Sequence, residues 1–197
     1  MLKCTYVACI KRALDCILAT TALLVLSPLM LLLWIAVRWA FGGRAIFTHE
    51  RSGQHQKPFK FYKFRSMIDD PNLTDEERIT PFGAVLRKSS LDELPQLINV
   101  IKGEMSLVGP RPLLPEYDSH YTKEQLKRFD VLPGMTGWAQ VNGRNQIEWS
   151  QKLAYDVYYA NHVSLRLDLI ILLKTVGVVL RAAGFNRAGE AKRFDEQ

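Results

Sequence analysis

Cysteine is scarce in this chain and confined to one end. Cys4, Cys9 and Cys16 have no second cluster to pair with, which excludes a disulfide framework and a four-ligand zinc site and points to a reducing compartment. Neither a G-x-x-x-x-G-K phosphate loop nor an H-E-x-x-H pair occurs, so the commonest nucleotide and zinc signatures are missing. Internal repeats and low-complexity tracts are missing as well. Acidic residues are nearly absent from the first third: residues 1–67 hold ten Lys/Arg against two Asp/Glu, whereas residues 68–197 hold sixteen against eighteen. The net charge of +6 is thus an N-terminal property, and it asks for an anionic partner: a headgroup layer, a nucleic acid or a phosphorylated substrate. What is present is ordinary. A chain of 197 residues, 48% hydrophobic and 23% charged, has the composition of one globular domain, and not of a disordered, collagen-like or many-span protein.

One segment departs from that average. From Cys16 to Val37 run twenty-two residues without a charge, CILATTALLVLSPLMLLLWIAV, and about 20 apolar residues is the length a helix needs to cross a hydrocarbon core. The run is too long for the apolar part of a cleaved signal peptide. Lys3, Lys11 and Arg12 precede it and Arg38, Arg44 and Arg51 follow it, so both flanks favour the cytoplasmic side. Pro28 removes a helical hydrogen bond mid-run, and Ser27 can re-satisfy the freed backbone. These features predict a re-entrant helix, bent at Ser27-Pro28 and leaving by the face it entered; a proline-kinked single span is the alternative.

After Gly42-Gly43 the chain becomes polar and punctuated. Three segments follow: 1–43 as anchor and basic flanks, 44–185 as a catalytic portion continuous with it, and 186–197 as a polar tail. Short apolar or alternating patterns predict strands over Ala45–Thr48 and Phe59–Phe64, and helices are predicted over Asp75–Lys88, Glu93–Ile101, Lys123–Phe129 and Ile147–Tyr159. Leu165–Leu180 suits either a core helix or one lying in the membrane interface. The fold class expected is α+β and mostly helical, a small cytoplasmic globule with short strands and interfacial helices beside the anchor.

The chemistry concentrates in Leu86–Pro112, LRKSSLDELPQLINVIKGEMSLVGPRP, where Asp92-Glu93 stand between Arg87-Lys88 and Arg111. Structurally, Ser90-x-x-Glu93 reads as a capping box that explains both acids without any activity. Functionally, arginines beside a carboxylate can clamp phosphate oxygens, and the carboxylate can bind a divalent cation or attack phosphorus. The two readings are compatible. Gly109-Pro110-Arg111-Pro112 stiffens the backbone around one guanidinium, which suits fixed recognition of phosphate. Lys63 and Arg65 end a predicted strand and serve either as substrate contacts or as a basic surface toward anionic lipid.

Taken together, these blocks resemble the bacterial sugar transferases known as monotopic phosphoglycosyl transferases, in their small form with little beyond the catalytic domain. The resemblance runs over nearly the whole chain. It is carried by Lys11-Arg12-x-x-Asp15, Ser27-Pro28, Tyr62–Met67, Ser90–Asn99, Gly103–Ser106, Val108–Pro112 and the block Pro133–Arg144, PGMTGWAQVNGR. It implies transfer of a sugar 1-phosphate from a UDP-sugar to polyprenol (undecaprenyl) phosphate at the cytoplasmic face of the bacterial cell membrane, with UMP released and magnesium required. By the same resemblance Asp92 is the nucleophile of a phosphosugar-aspartyl intermediate and Glu93 completes the dyad, both being candidate metal ligands. Arg87 and Arg111, with Lys63 and Arg65, are expected on substrate phosphates. An N-acetylated amino sugar is the donor that similar small family members imply, with galactose and glucose as alternatives; membrane lipids are expected partners, and a homodimer is compatible with the sequence. Rival classes are a membrane-anchored scaffold in which Asp92-Glu93 only caps a helix, and a transferase that moves the sugar without its phosphate. A nucleic-acid binder fits poorly, because the cationic surplus surrounds the apolar run and not a polar helix face with interleaved aromatics.

Overall fold

The computed structural model describes residue 6 and residues 10–74, 76–143 and 147–180. The expected helix start at Asp75, the basic residues Lys3 and Arg144, and the tail 186–197 lie outside the described residues. The fold is mostly helical with two small sheets. Helix α1 spans Lys11–Phe41 and ends at Gly42, whose left-handed φ of 61° stops it. A hairpin follows, with β1 (Ile46–Ser52) antiparallel to β2 (Pro58–Phe64). Helix α2 (Pro81–Lys88) starts six residues later than Asp75, because Thr80 caps it through the Gly83 amide at 3.0 Å and Pro81 takes the first helical position. Helix α3 covers Gln96–Lys102, and two three-residue strands, β3 (Ser106–Val108) and β4 (Gly134–Thr136), pair in parallel. Between them the chain makes 3-10 turns at Pro115–His120 and Gln125–Asp130, the second in place of the predicted helix over Lys123–Phe129. Helices α4 (Trp138–Val141), α5 (Trp149–His162) and α6 (Leu165–Leu180) complete the globule.

Both halves of α1 pack on this globule. In the first turns Lys11, Asp15 and Ala19 recur every four residues and are buried on one face. Lys11 Nζ lies 2.7 Å from Asp168 of α6, Asp15 accepts from Ser106 Oγ at 2.7 Å, and Arg12 donates to the Ile101 carbonyl at 2.8 Å, satisfying the open C-terminal end of α3. Tyr159 joins the network, its hydroxyl 2.7 Å from Asp168. Ala19 then enters a cluster with Phe61, Leu97, Val100 and Met105, whereas Val37 at the far end enters another with Ala45, Phe64 and Leu86. Between these contacts Leu24 and Val25 are exposed. The helix continues through Pro28, and Ser27 Oγ donates to the Leu24 carbonyl at 2.8 Å. That carbonyl is the one a residue at 28 would otherwise bond, so the hydroxyl replaces the amide that proline lacks. Helix α6 buries Asp168 and Ile171 in the globule, as expected of a core helix, and exposes Leu173, Val176 and Leu180.

Candidate active site

The acidic pair sits on a short link between α2 and α3. Ser90 adopts a left-handed φ of 57°, and Leu91–Glu93 form one 3-10 turn. In such a turn residues three apart eclipse, so Leu91 and Leu94 fall together into the cluster of Leu86 and Phe64, leaving Asp92 and Glu93 to a separate cavity. The expected capping box does not form. Ser90 makes no side-chain cap bond, and Glu93 instead holds Arg111 at 2.8 Å; packing of the two leucines sets the backbone in place of a helix start.

The cavity encloses about 300 Å³ and is lined by Asp92 and Glu93 together with Arg51, Lys63, Arg87, Arg111 and Lys152. Asp92 is 7% exposed. Burial raises its pKa to about 6, the charge of Glu93 adds to the rise, and Lys63, Arg87 and Arg111 oppose it. Asp92 therefore holds a proton more tightly than an ordinary aspartate and is still ionised at neutral pH. Burial likewise lowers Arg51 to about 10, with the like charge of Arg111 contributing, and lowers Lys63, where Asp92 pulls the other way.

Two of these cations are held by the surrounding fold. Arg111 keeps half of its side chain exposed, and its backbone carbonyl accepts from Arg128 at 2.6 Å. Arg128 is 2% exposed and bonded to Asp156 at 2.9 Å. Gly109 and Gly134 cross so closely that a Cβ on Gly134 would stand 2.0 Å from the Gly109 amide nitrogen, a contact that fixes the start of Gly109–Pro112. Lys63 is placed by β2, which α3 holds through Asn99: its side chain accepts from the Tyr62 amide and donates to the Lys60 carbonyl at 2.7 Å.

Of the sequence-expected residues, Asp92, Glu93, Arg87, Arg111 and Lys63 meet in this cavity. Arg65 does not. It lines an adjoining basic hollow with His49, Arg51 and Lys63, and lies 3.6 Å from Asp69; successive strand residues alternate faces, so Lys63 and Arg65 share one face but reach different depths along it. Ser27 and Pro28 lie on exposed α1, apart from the cavity. Gln140, from the block Pro133–Arg144, also lines the cavity; sequence reasoning missed Arg51, Lys152 and Asp156. Lys152 and Asp156 carried a signal, a four-residue spacing on one face of a predicted helix. Arg51 carried none, being brought in by the hairpin. Both amide atoms of Gln140 and the Asp156 Oδ1 are buried without a partner, which is the condition of groups awaiting a ligand. Among the described residues no group of three His, Cys, Asp or Glu gathers as a metal site.

Comparison with known proteins bears on the same residues. A family model described as bacterial sugar transferase matches residues 6–182. An uncharacterized sugar transferase, EpsL, of Bacillus subtilis is 46% identical, with 94% of this chain and 95% of that protein covered. The exopolysaccharide production protein ExoY of Rhizobium meliloti is 38% identical over 88% of this chain and 87% of its own length. An undecaprenyl-phosphate galactose phosphotransferase of Salmonella typhimurium is 41% identical over 89% of this chain, which spans only 41% of that longer protein. With the family's match running from Tyr6 through the anchor, the acidic turn and α6, this chain belongs to the bacterial sugar transferases.

Proposed function

We propose that the chain transfers a sugar 1-phosphate from a UDP-sugar to a polyprenol phosphate. The carrying observation is a buried, still ionisable Asp92 set among five cationic side chains in one cavity, beside relatives whose names specify undecaprenyl-phosphate phosphotransferases. In the first displacement an Asp92 carboxylate oxygen attacks the sugar-bearing phosphorus. The bond from that phosphorus to the bridging oxygen breaks, UMP leaves with the oxygen, and a phosphosugar-aspartyl ester forms. In the second, a phosphate oxygen of the polyprenol phosphate attacks the same phosphorus, expels the carboxylate, and yields polyprenol diphosphate sugar with Asp92 restored. Arg87, Arg111, Lys63 and Arg51 stabilise the equatorial phosphate charge, and Glu93 holds the Arg111 guanidinium in register.

Magnesium fits this donor set. The ion is commonly bound by one or two carboxylates together with substrate phosphates and water, and Asp92 and Glu93 supply the carboxylates while the donor's diphosphate supplies the rest. When bound it would neutralise charge on the diphosphate.

Helix α1 serves in this reading as a re-entrant, monotopic anchor. A straight helix of 31 residues is about 46 Å long, and a span of that length would carry one end across the bilayer from the globule. The re-entrant reading is supported by contacts at both ends, where Arg12 bonds α3 and Phe41 meets Phe82 of α2, with the exposed apolar stretch between. Both basic flanks then lie on the cytoplasmic face, where UDP-sugars are found, and the cavity lies at headgroup depth. The reaction is tested by supplying undecaprenyl phosphate with UDP-glucose, UDP-galactose and N-acetylated UDP-amino sugars in turn. UMP and a lipid diphosphate sugar are expected from at least one donor; UDP as the product would show transfer of the sugar without its phosphate.

A further inference from the structure

Beside the reaction cavity lies a second hollow of different chemistry. It encloses about 230 Å³, and it shares Ser90, Glu93, Arg111 and Gln140 with the cavity of Asp92. Beyond that shared wall its lining turns apolar, with Leu94, Leu107, Met135, Val141, Leu172 and Val178. The polar groups that do face it are already satisfied: Thr175 Oγ1 donates to the Ile171 carbonyl at 2.8 Å and meets Thr136 Oγ1 at 2.7 Å. The groove thus has one polar end, carrying a guanidinium and the unpartnered amide of Gln140, and a body that makes no polar demand.

We infer that this groove holds the first isoprene units of the acceptor, with the acceptor phosphate at the shared wall between Arg111 and Gln140. The inference rests on the reaction proposed above and adds where its lipid substrate lies. An isoprenoid phosphate has the same polarity profile as the groove, a dianionic head on a branched hydrocarbon chain, and satisfies both ends at once. The shared wall brings the acceptor phosphate next to Asp92 from the side of the cavity away from Lys152, Trp149 and Asp156, which line the cavity of Asp92 and not the groove. The groove's far wall is α6, whose outer face exposes Leu169, Leu173, Val176 and Leu180. The rest of a long polyprenol chain therefore leaves the groove along an apolar surface and not into water. In-line displacement brings the acceptor oxygen to the position opposite Asp92 that the UMP oxygen has left, so the acceptor phosphate completes its approach from the shared wall once UMP has departed.

The test separates the two displacements. Leu172→Trp and Val178→Trp fill the groove from α6. Stoichiometric UMP release from the active UDP-sugar without acceptor should stay within about twofold of the unaltered protein, while KM for undecaprenyl phosphate should rise at least tenfold. Unchanged KM in both variants would overturn the assignment, as would equal loss of both displacements in a folded variant. Should the tryptophans prevent folding, the unaltered protein can be photolabelled with a diazirine-bearing prenyl phosphate. Label on peptides covering Met135 or Leu172–Val179 supports the groove, and label confined elsewhere overturns it. An unaltered protein that releases no UMP from any donor refutes the reaction itself, an outcome distinct from UMP release with the label outside the groove.

Discussion

Arg111 illustrates how a single side chain is made specific. Its carbonyl is fixed by Arg128, and its guanidinium by Glu93 at 2.8 Å, so the free edge of a planar fork is aimed into the cavity. Arg111→Lys keeps the charge and loses the fork. We expect kcat to fall at least tenfold, about 1.4 kcal/mol of lost transition-state stabilisation, with the thermal midpoint nearly unchanged; an unaltered rate would make Arg111 a turn residue only. Much at this scale was legible in the sequence. Asp92, Glu93, Arg87 and Arg111 are neighbours along the chain, and proximity in sequence carried the inference. Arg51 was not legible, since it reaches the cavity through the hairpin, a contact that no local pattern encodes. The capping box was misread for a related reason: its spacing is correct, but burial of Leu91 and Leu94 outweighs one capping bond.

Among the elements, the joint between α1 and the globule is the most telling. Lys11 lies 2.7 Å from Asp168 and 3.9 Å from Asp15, all three nearly buried. Lys11→Met leaves two buried carboxylates without their shared cation, and removal of one partner from such a pair costs about 3–5 kcal/mol. A lowered thermal midpoint in detergent, partly restored by the double variant Lys11→Met with Asp168→Asn, is expected; no change would mean that water satisfies the acids. Pro28→Ala restores the amide that Ser27 now replaces and favours a straight helix. A mixture of topologies should result, read from protease access to an N-terminal tag in sealed vesicles of each orientation, with activity falling in proportion to the spanning fraction. Unaltered topology with full activity would make the proline incidental. The long apolar run, the hairpin strands, α5 and α6 were legible because their periodicity is local. The pair β3–β4 was not, because strands of three residues hold too little pattern and their parallel partner lies far along the chain.

For the whole molecule, the N-terminal cationic surplus acquires a destination. Lys11 and Arg12 are spent on internal bonds, and Arg51 and Lys63 line the cavity of Asp92; of the headgroup layer, nucleic acid and phosphorylated substrate that composition left open, this placement favours the phosphorylated substrate of the proposed reaction. Anchor and globule also share two hydrophobic clusters. A chain beginning at residue 44 should therefore lose cooperative folding, visible as a flat circular-dichroism melt, and a soluble fragment with a sharp transition would show that the globule stands alone. The central claim is that one buried carboxylate carries the sugar phosphate between two substrates. Its most direct test is intact-protein mass after incubation with the active UDP-sugar and no acceptor, followed by peptide mapping. A mass increase equal to one sugar phosphate, located on Asp92, discharged by undecaprenyl phosphate and missing from a folded Asp92→Asn protein, is the predicted result; steady turnover with no adduct in the unaltered protein, or an undiminished adduct in Asp92→Asn, would contradict it.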